Sequence, residues 1–259
     1  MSRILVTGSA DGLGRAAAAS LPAAGHEVVV HARDKRRAAG LDPLTVRGAG
    51  IVVGDFTERD VVGDFTERDV VGDFTERDAV RRVAAELSGS APLDAVVHNA
   101  GVWSGPAVMP VNVIAPYLLT ALLPGPRRLV YLSSGSHFRG RPRLGGVDWR
   151  GRTAGSYADS KLFVTTLAAA VARLRPGVLS NAVDPGWVPT RMGGPNAPDD
   201  LELGHETQAW LAAGDDPRAL TSGRYRYHRR LREPHRAVHD TAFQTRLLHA
   251  LAEETGAAL

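Results

Sequence analysis

The chain has 259 residues, of which 44% are hydrophobic and 23% are charged; its formal net charge is +3 and it contains no cysteine. This composition excludes a disordered polymer, a collagen-like repeat and a disulfide scaffold. Thiol catalysis and cysteine metal sites are also excluded. The small net charge gives little support for nucleic-acid binding. No apolar stretch approaches the roughly 20 residues that span a bilayer, so we expect a cytoplasmic protein without nucleic-acid or membrane partners.

Short apolar segments alternate with helical segments along the chain. The predicted strands are Arg3–Val6, His26–His31, Ile51–Val53, Leu93–His98, Arg128–Leu132 and Val178–Val183. The predicted helices are Leu13–Ala24, Asp34–Leu41, Ala79–Leu87, Asn112–Leu123 and Tyr157–Leu174. This alternation is typical of an α/β fold with a doubly wound, Rossmann-type parallel sheet, whose ligands bind at the carboxyl ends of the strands. No linker divides the chain, which predicts a single domain over residues 1–259.

A nine-residue segment, VVGDFTERD, occurs three times in tandem, at Val52–Asp60, Val61–Asp69 and Val70–Asp78. One copy is enough to join the third strand to the following helix, so 18 residues form a tandem-repeat insertion after that strand. An insertion of five turns, at about 3.6 residues per turn, would lengthen the helix before Ala79 and keep it in register. Glycines within the repeat cost about 1 kcal/mol each inside a helix, so a loop is the equal alternative.

The first predicted strand ends in a glycine-rich turn and a helix follows directly. The turn reads Thr7-Gly8-Ser9-Ala10-Asp11-Gly12-Leu13-Gly14. Glycines let the backbone approach a phosphate closely, and the helix N-terminus supplies free N–H groups. This order of elements is that of a dinucleotide site. At the end of the second strand, Arg33 stands where an acidic residue would hold an unmodified ribose. A guanidinium suits a 2′-phosphate, which favours NADP, with NAD as the alternative.

Tyr157 and Lys161 are four residues apart at the start of a predicted helix, so both side chains project from one face. An ammonium about 4 Å from a phenol is worth about 4 kcal/mol at an effective dielectric near 20. Since one pKa unit is about 1.36 kcal/mol, we expect the pKa of Tyr157 to fall from about 10 towards 7. The phenol would then exchange protons near neutral pH. Ser133 and Ser134 end the fifth predicted strand nearby.

These motifs, in this order, resemble the short-chain dehydrogenase/reductase family. Further matching segments are Asp55 after VVG, His98-Asn99-Ala100-Gly101, Asn112, Leu132-Ser133-Ser134, Tyr157-Ala158-Asp159-Ser160-Lys161 and Asp184-Pro185-Gly186-Trp187-Val188-Pro189-Thr190. The catalytic residues that the resemblance implies are Asn112, Ser134, Tyr157 and Lys161. The cofactor-binding residues that it implies are Gly8, Ser9, Asp11, Gly12, Leu13, Gly14, Arg33, Asp55, Asn99, Ala100, Gly101, Tyr157, Lys161, Pro185, Gly186, Val188 and Thr190.

The resemblance also implies a role for each catalytic residue. Tyr157 would exchange the proton with the substrate oxygen, and Ser134 would hydrogen-bond that oxygen. Lys161 would bind the nicotinamide ribose and lower the tyrosine pKa, while Asn112 would hold a water in the proton relay.

Two features complicate the cofactor assignment. The repeat leaves the adenine contact open among Asp55, Asp64 and Asp73. We favour Asp55, because the strand Ile51–Val53 leads directly into the first copy. Asp11 stands where some NADP-dependent relatives carry a basic residue, which weakens the argument for NADP.

Two spacings depart from the common form of the family. Ser134 and Tyr157 are 23 positions apart, and this longer segment resembles an insertion in the retinol-dehydrogenase-like and WW-domain-oxidoreductase-like branch. Asn99 and Asn112 are only 13 positions apart. That shortening affects a helix that often builds subunit contacts in the family, so we expect a monomer or homodimer and not the family's tetramer.

The resulting prediction is an NADP-dependent oxidoreductase that transfers a hydride between the nicotinamide and a small-molecule carbonyl or alcohol. Residues 135–156 and 187–210 would line the substrate pocket, the second segment as a lid. Aromatic side chains indicate an apolar or aromatic substrate unless they belong to the core; they are Trp103, Phe138, Trp149 and Trp187. The alternative is a dinucleotide-binding regulatory or scaffold protein with little or no turnover, suggested by the repeat and the shortened segment.

The remaining polar segment that could carry chemistry is Arg224–Arg236, which is rich in arginine. His228, His235 and His239 in and after it lack metal-ligand spacing, so we expect no metal site. The segment is predicted to be a last strand followed by a solvated basic loop.

Overall fold

The computed structural model describes residues 1–34, 37, 50–53 and 73–259. In these residues an eight-stranded sheet has the order β3-β2-β1-β4-β5-β6-β7-β8. The strands are β1 Arg3–Val6, β2 Glu27–Ala32, β3 Gly50–Val53, β4 Ala95–His98, β5 Arg128–Leu132, β6 Leu179–Asp184, β7 Tyr225–Tyr227 and β8 Arg230–Arg232. All neighbours pair in parallel except β7 and β8. The strand order reverses between β1 and β4, where such sheets bind ligands.

Helices cover both faces of this sheet. They are α1 Gly12–Ala23, α2 Arg77–Ser88, α3 Ala115–Leu122, α4 Tyr157–Leu174, α5 Leu201–Ala213 and α6 Thr241–Thr255. Three shorter helical segments are a π-helix at Pro110–Ile114 and 3₁₀ helices at Gly135–Arg139 and Arg236–His239. The predicted α/β fold with a doubly wound, mostly parallel sheet is confirmed.

Alternation along the strands sends neighbouring side chains to two separate cores. Ile4 and Val6 of β1 pack in one cluster with Leu21 of α1 and Leu211 of α5. Leu5, between them in sequence, packs in the other cluster, which α2, α3, α4 and α6 cover. Because both faces of the sheet are buried, the central strands are continuously apolar.

The predicted helix Asn112–Leu123 is divided in the structure. Its first part is the π-helix, in which the Ala115 N–H donates to the Pro110 carbonyl five residues earlier. Pro116 has no N–H to give to the Asn112 carbonyl four residues before it, which disfavours a regular α-helical pattern at this point. Single π-turns inside helices are frequent at functional sites.

The arginine-rich segment after α5 forms a hairpin, so the prediction of one strand followed by a loop was wrong. β7 and β8 pair antiparallel, with Tyr225 opposite Arg232. His228 and Arg229, in the turn between them, have positive φ values of 45° and 62°. The Arg229 N–H donates to Thr207 Oγ1 at 2.9 Å, which holds this turn against α5. Sequence reasoning missed the turn because it lacks the glycine or asparagine that such turns favour.

The tandem repeat lies largely outside the described residues, and so do Asp55, Asp64 and most of the predicted helix Asp34–Leu41. The third copy is described from Asp73 onward. Its Phe74 is buried and stacks on His31 of β2, with ring centroids 4.1 Å apart. Residues 73–76 are not helical and α2 begins at Arg77, so the repeat does not extend α2 as a continuous helix.

The C-terminal helix covers α4. Phe243 of α6 packs on Phe163 of α4, and Arg173 Nε of α4 donates to Gln244 Oε1 at 2.8 Å. Beyond α6, the Ala257 carbonyl accepts a hydrogen bond from Tyr117 Oη at 2.7 Å. The residues after α6 are thereby fixed to α3. The expected monomer or homodimer stays a prediction.

Candidate active site

The glycine-rich turn after β1 is braced against the end of β4. Thr7 Oγ1 accepts from the backbone N–H groups of Asn99 and Ala100 at 2.9 and 3.0 Å. In return, Asn99 Nδ2 donates to the Thr7 carbonyl at 2.9 Å. The predicted residues Asn99 and Ala100 therefore lie directly beside the turn, while Gly101 lies next to Asn112 and Lys161.

The other side of the same turn is held by β2. The Gly8 N–H donates to His31 Nδ1 at 3.1 Å, and the Ser9 N–H donates to the His31 carbonyl at 2.9 Å. The predicted cofactor turn is thus positioned from both neighbouring strands. Sequence reasoning missed Thr7 and His31, because their role depends on contacts between strands that are distant in sequence.

Close backbone approach explains two of the glycines. A Cβ on Gly14 would lie less than 3.0 Å from both Asn99 Nδ2 and the Gly8 carbonyl. Gly8 has a φ of +67°, and a Cβ there would come within 2.9 Å of the Ala100 Cα. Asp11 caps α1 by accepting from the Gly12 N–H at 2.8 Å. The turn therefore leads directly into the start of α1, a cradle that suits a dinucleotide's phosphates.

The segment after β6 crosses this turn. A Cβ on Gly12 would lie 3.1 Å from Thr190 Cγ2. The Arg191 guanidinium makes a solvent-exposed ion pair with Asp11 at 3.0 Å. Val188 of the same segment is buried, and Thr190 lies against Gly12 of the turn.

Arg33 follows directly after β2. Its side chain is half exposed, and its Nε lies 3.5 Å from the Asp34 carboxylate. This guanidinium is therefore at the surface, beside the strand next to β1, while the predicted adenine contact Asp55 is among the residues not described.

Asn112 sits in the π-helix and is buried. Its Oδ1 accepts from the Val102 N–H at 2.9 Å, and its Nδ2 donates to the Val102 carbonyl at 2.9 Å. Nδ2 also reaches Ser160 Oγ of α4 at 3.0 Å. The amide therefore ties the segment after β4 to the helix that carries Tyr157 and Lys161.

Tyr157 and Lys161 share one face of α4, as the four-residue spacing predicted. Lys161 Nζ lies 5.5 Å from the centroid of the Tyr157 ring and donates to the Leu132 carbonyl at 2.8 Å. The lysine is buried, and that burial lowers its pKa to about 8 while Asp184 opposes the fall. The Lys161 ammonium is thus held between one face of the Tyr157 ring and the end of β5.

The expected fall in the pKa of Tyr157 was wrong. Burial raises the pKa of this phenol, a hydrogen bond with the Ser134 side chain opposes the rise, and the negative charge of Asp184 adds to it. Lys161 lies over the ring, and the cost of burying a phenolate sets the direction of the shift. The phenol is consequently protonated at neutral pH.

Ser134 is held in place by two histidines. Its carbonyl lies 2.8 Å from Nδ1 of the buried His137, whose Nε2 accepts from the His235 N–H at 3.0 Å. Because Nε2 accepts, Nδ1 carries the hydrogen that Ser134 receives. Ser134 Oγ also accepts from the Ser136 N–H at 3.2 Å. His137 and His235 are 98 positions apart in sequence, so no spacing in the sequence indicated this contact.

The end of β6 is shaped by two carboxylates. Asp184 Oδ1 accepts from the Gly186 N–H at 3.0 Å, and its Oδ2 accepts from Tyr225 Oη at 2.9 Å. Gly186 has a φ of +83°, and a Cβ there would meet the Asp199 carboxylate at 2.5 Å. Asp199 also accepts from the Trp187 N–H at 2.6 Å. Pro185 and Gly186 thus turn the chain away from the sheet beside the catalytic residues.

Three of the four aromatic residues considered for the substrate are exposed. Trp103 is 64% exposed with its ring centroid 5.9 Å from that of Tyr157, and Trp187 is 60% exposed with its indole N–H on the Gly193 carbonyl. Phe138 is about half exposed beside Ser134. Trp149 belongs to the core instead, where it packs on Phe163.

The two segments expected to line the substrate pocket contribute unequally. Residues 135–139 lie at the end of β5, but the Gly155 N–H donates to the Gly105 carbonyl and Arg150 Nε donates to Glu254 of α6. The second half of the 135–156 segment therefore packs in part on α6, and its last residues lead directly into Tyr157. Residues 187–200 form the loop beside the site, while residues 201–210 belong to α5.

Known proteins with similar sequences identify the family. The sequence model described as short chain dehydrogenase matches residues 2–120. The short-chain dehydrogenase chyC of Penicillium rubens is 34% identical and aligns over 99% of this chain and 98% of its own. The chain belongs to the short-chain dehydrogenase/reductase family. Dehydrogenase/reductase SDR family member 13 of Homo sapiens is 30% identical over 80% of this chain and 57% of its own.

A solved structure repeats the fold of this short-chain dehydrogenase. A blue fluorescent protein from a metagenomic library, in complex with NADPH, superposes with a TM-score of 0.67 at 21% identity and covers 87% of this chain and 95% of its own. The chain is therefore an oxidoreductase that acts on small molecules. Within the described ranges, no helix of this dehydrogenase is both long and apolar enough to cross a membrane.

Proposed function

We propose that this short-chain dehydrogenase is an NADP-dependent oxidoreductase that interconverts a small carbonyl compound and its alcohol. The observation that carries the proposal is the convergence of Tyr157, Lys161, Ser134 and Asn112 at the carboxyl ends of β4 and β5. When bound there, the nicotinamide supplies or accepts the hydride.

The residues of the chain handle the proton and the substrate oxygen. Tyr157 holds a proton on Oη at neutral pH because its pKa is raised, which favours its action as a general acid in carbonyl reduction. Ser134, whose side chain opposes the rise in the pKa of that phenol, stabilises charge on the carbonyl oxygen. Lys161 binds the ribose next to the nicotinamide, and Asn112 holds a water of the proton relay.

The preference for NADP rests on Arg33. Its half-exposed guanidinium follows the strand adjacent to the glycine-rich turn, where it can meet a 2′-phosphate. Asp11 would repel that phosphate, but its ion pair with Arg191 offsets much of the charge. Gly8, Gly12, Leu13 and Gly14 provide the backbone cradle, and Pro185, Gly186, Val188 and Thr190 flank the nicotinamide.

The substrate that suits this site is an apolar, aromatic carbonyl compound. Trp103 exposes its ring 5.9 Å from the Tyr157 ring, and the exposed Phe138 and Trp187 lie on the segments after β5 and β6. Single exposed aromatics are common, but one that lies against the proposed reactive phenol suggests a binding surface. Trp103→Ala should raise KM for an aryl ketone several-fold more than for a short aliphatic ketone. An equal change for both would contradict this substrate class.

The decisive test of the enzyme assignment is Tyr157→Phe. Loss of the general acid should reduce NADPH-dependent turnover by about 100-fold or more, while NADPH binding, followed by fluorescence titration, stays measurable. Tyr117→Phe is the matched control, since Tyr117 also loses a buried hydroxyl but its partner is the remote Ala257 carbonyl. Retained turnover in Tyr157→Phe would overturn the assignment. Tight NADPH binding by the wild type, with no turnover on a broad carbonyl panel, would favour a regulatory or scaffold protein.

A further inference from the structure

The strongest unassigned feature near the site is the buried carboxylate of Asp184. Its side chain is the last of β6 and is only 6% exposed as a residue. Both oxygens have partners, since Gly186 N–H and Tyr225 Oη donate to them at 3.0 and 2.9 Å. Two donors hold this buried carboxylate in one orientation. None of the roles proposed above for the reaction uses it.

Register places this carboxylate beside the catalytic pair. Leu132, whose carbonyl accepts from Lys161 Nζ, pairs with Val183 in the sheet, and Asp184 is the next residue. On the other side, a Cβ on Gly135, directly after Ser134, would lie 3.3 Å from Asp184 Oδ2. The carboxylate thus lies between the ends of β5 and β6. It is next to the strand end that binds Lys161 Nζ and next to Gly135, the residue after Ser134.

We propose that Asp184 is a positioning residue whose fixed negative charge keeps Lys161 as an ammonium and Tyr157 as a phenol, and so sets the pH range of the reaction. This inference rests on the proposed function of Tyr157 and Lys161. A negative charge raises the pKa of both groups, and Asp184 acts in that direction on each. Lys161 in particular would lose its charge nearer neutral pH without this carboxylate.

Other ionisable groups also face the cluster. They are His137 after β5, Tyr225 and Tyr227 on β7, and Arg232 on β8. Burial lowers the pKa of His137, so it is neutral near pH 7. Burial and Asp184 together raise the pKa of Tyr225, so it remains a neutral donor. Arg232 lies over the Tyr227 ring at 3.9 Å and acts on the two tyrosines of β7, whereas Asp184 acts directly on Lys161 and Tyr157.

The test is a tyrosine titration that does not depend on turnover. Phenolate absorbance is recorded against pH for the wild type and for Asp184→Asn, each paired with the same protein carrying Tyr157→Phe, so that the difference isolates Tyr157. Asp184→Asn should lower the midpoint of Tyr157 by about one unit, as removal of a nearby like charge does. The alkaline limb of the pH–rate profile for carbonyl reduction should shift to lower pH as well. The reason is that Tyr157 and Lys161 would both lose their protons at a lower pH in this variant.

Two controls separate charge from structure. Asp159→Asn removes another buried carboxylate from the first turn of α4, whose partner is Arg141, and should leave the midpoint of Tyr157 unchanged. Tyr225→Phe removes a donor to Asp184 but keeps the charge, and should shift the midpoint by less than a third as much. If Asp184→Asn fails to fold, Asp184→Ser removes the same charge with a smaller side chain.

An unchanged Tyr157 midpoint in the charge-removing variant, or equal shifts in that variant and Tyr225→Phe, would overturn the inference. An inactive wild type with the expected midpoint shift would instead refute only the proposed function.

Discussion

The two halves of the proposed cofactor cleft, the nicotinamide half and the adenine half, are built differently. On the nicotinamide half, Asn112, Lys161 and Asp184 are buried and each makes two or more interactions with other residues. On the adenine half, Arg33 and Asp11 are exposed and their described ion pairs are with single surface partners. The glycine-rich turn lies between the halves and is braced to both neighbouring strands.

This difference indicates which part of the proposed site needs its side chains held in exact positions. Proton transfer needs its groups fixed within a fraction of an ångström, and buried, reciprocal hydrogen bonds provide that. Phosphate recognition by an exposed guanidinium tolerates more freedom and depends on charge. Substitutions on the nicotinamide half should therefore cause large losses that salt does not alter, and those on the adenine half smaller, salt-sensitive ones.

The largest effect is expected from Gly14→Ala in the turn itself. The new methyl group would collide with Asn99 Nδ2 and with the Gly8 backbone, which cannot move without breaking the brace to β4. We expect NADPH binding to be lost and the free energy of unfolding to fall by about 1–3 kcal/mol, measured by fluorescence titration and denaturant melts. Gly177→Ala is the control, since its Cβ would meet nothing within 4 Å. Equal behaviour of the two variants would contradict the close approach.

Asn112→Ala should have the next largest effect. It removes three hydrogen bonds and leaves the N–H and carbonyl of Val102 unpaired, at a cost of about 1–3 kcal/mol in unfolding free energy. Turnover should fall more than stability alone explains. The control is Asn181→Ala, which removes a buried amide bonded to Thr221 and Arg224, away from the site. We expect both variants to lose a similar amount of stability, but only Asn112→Ala to lose kcat. That result would separate the role of Asn112 in turnover from its role in stability.

Arg33→Ala tests the adenine half. A charged hydrogen bond is worth about 1.5–3 kcal/mol, so KM for NADPH should rise roughly 10- to 100-fold. KM for NADH should change little, because that cofactor lacks the 2′-phosphate. Arg152→Ala, an exposed arginine in the segment after β5, serves as the control for a general loss of positive charge. Equal increases for both cofactors would show that Arg33 does not read the phosphate.

The sequence predicted the architecture well because its signals are local. Each of these signals can be recognised within a short stretch of sequence. They are the continuous apolar strands, the glycine-rich turn and the four-residue spacing of Tyr157 and Lys161. The direction of the Tyr157 pKa shift was wrong because burial, which depends on the whole fold, is its largest cause and raises the pKa. His137 and His235, 98 positions apart, and the Asp184–Tyr225 pair join distant segments, so no local pattern indicated them.

The smallest effect is expected at the Asp11–Arg191 pair, which joins the turn to the loop after β6. Exposed ion pairs contribute about 0–1 kcal/mol, so Arg191→Ala should weaken NADPH binding only a few-fold, by leaving Asp11 to repel the phosphates. Asp11→Asn should strengthen binding slightly, and the double variant should lie close to the wild type. At about 1 M salt the Debye length falls to about 3 Å, and the differences should vanish. A difference that persists at high salt would mean that Arg191 contacts the cofactor directly, and the adenine half would then be as tightly built as the nicotinamide half.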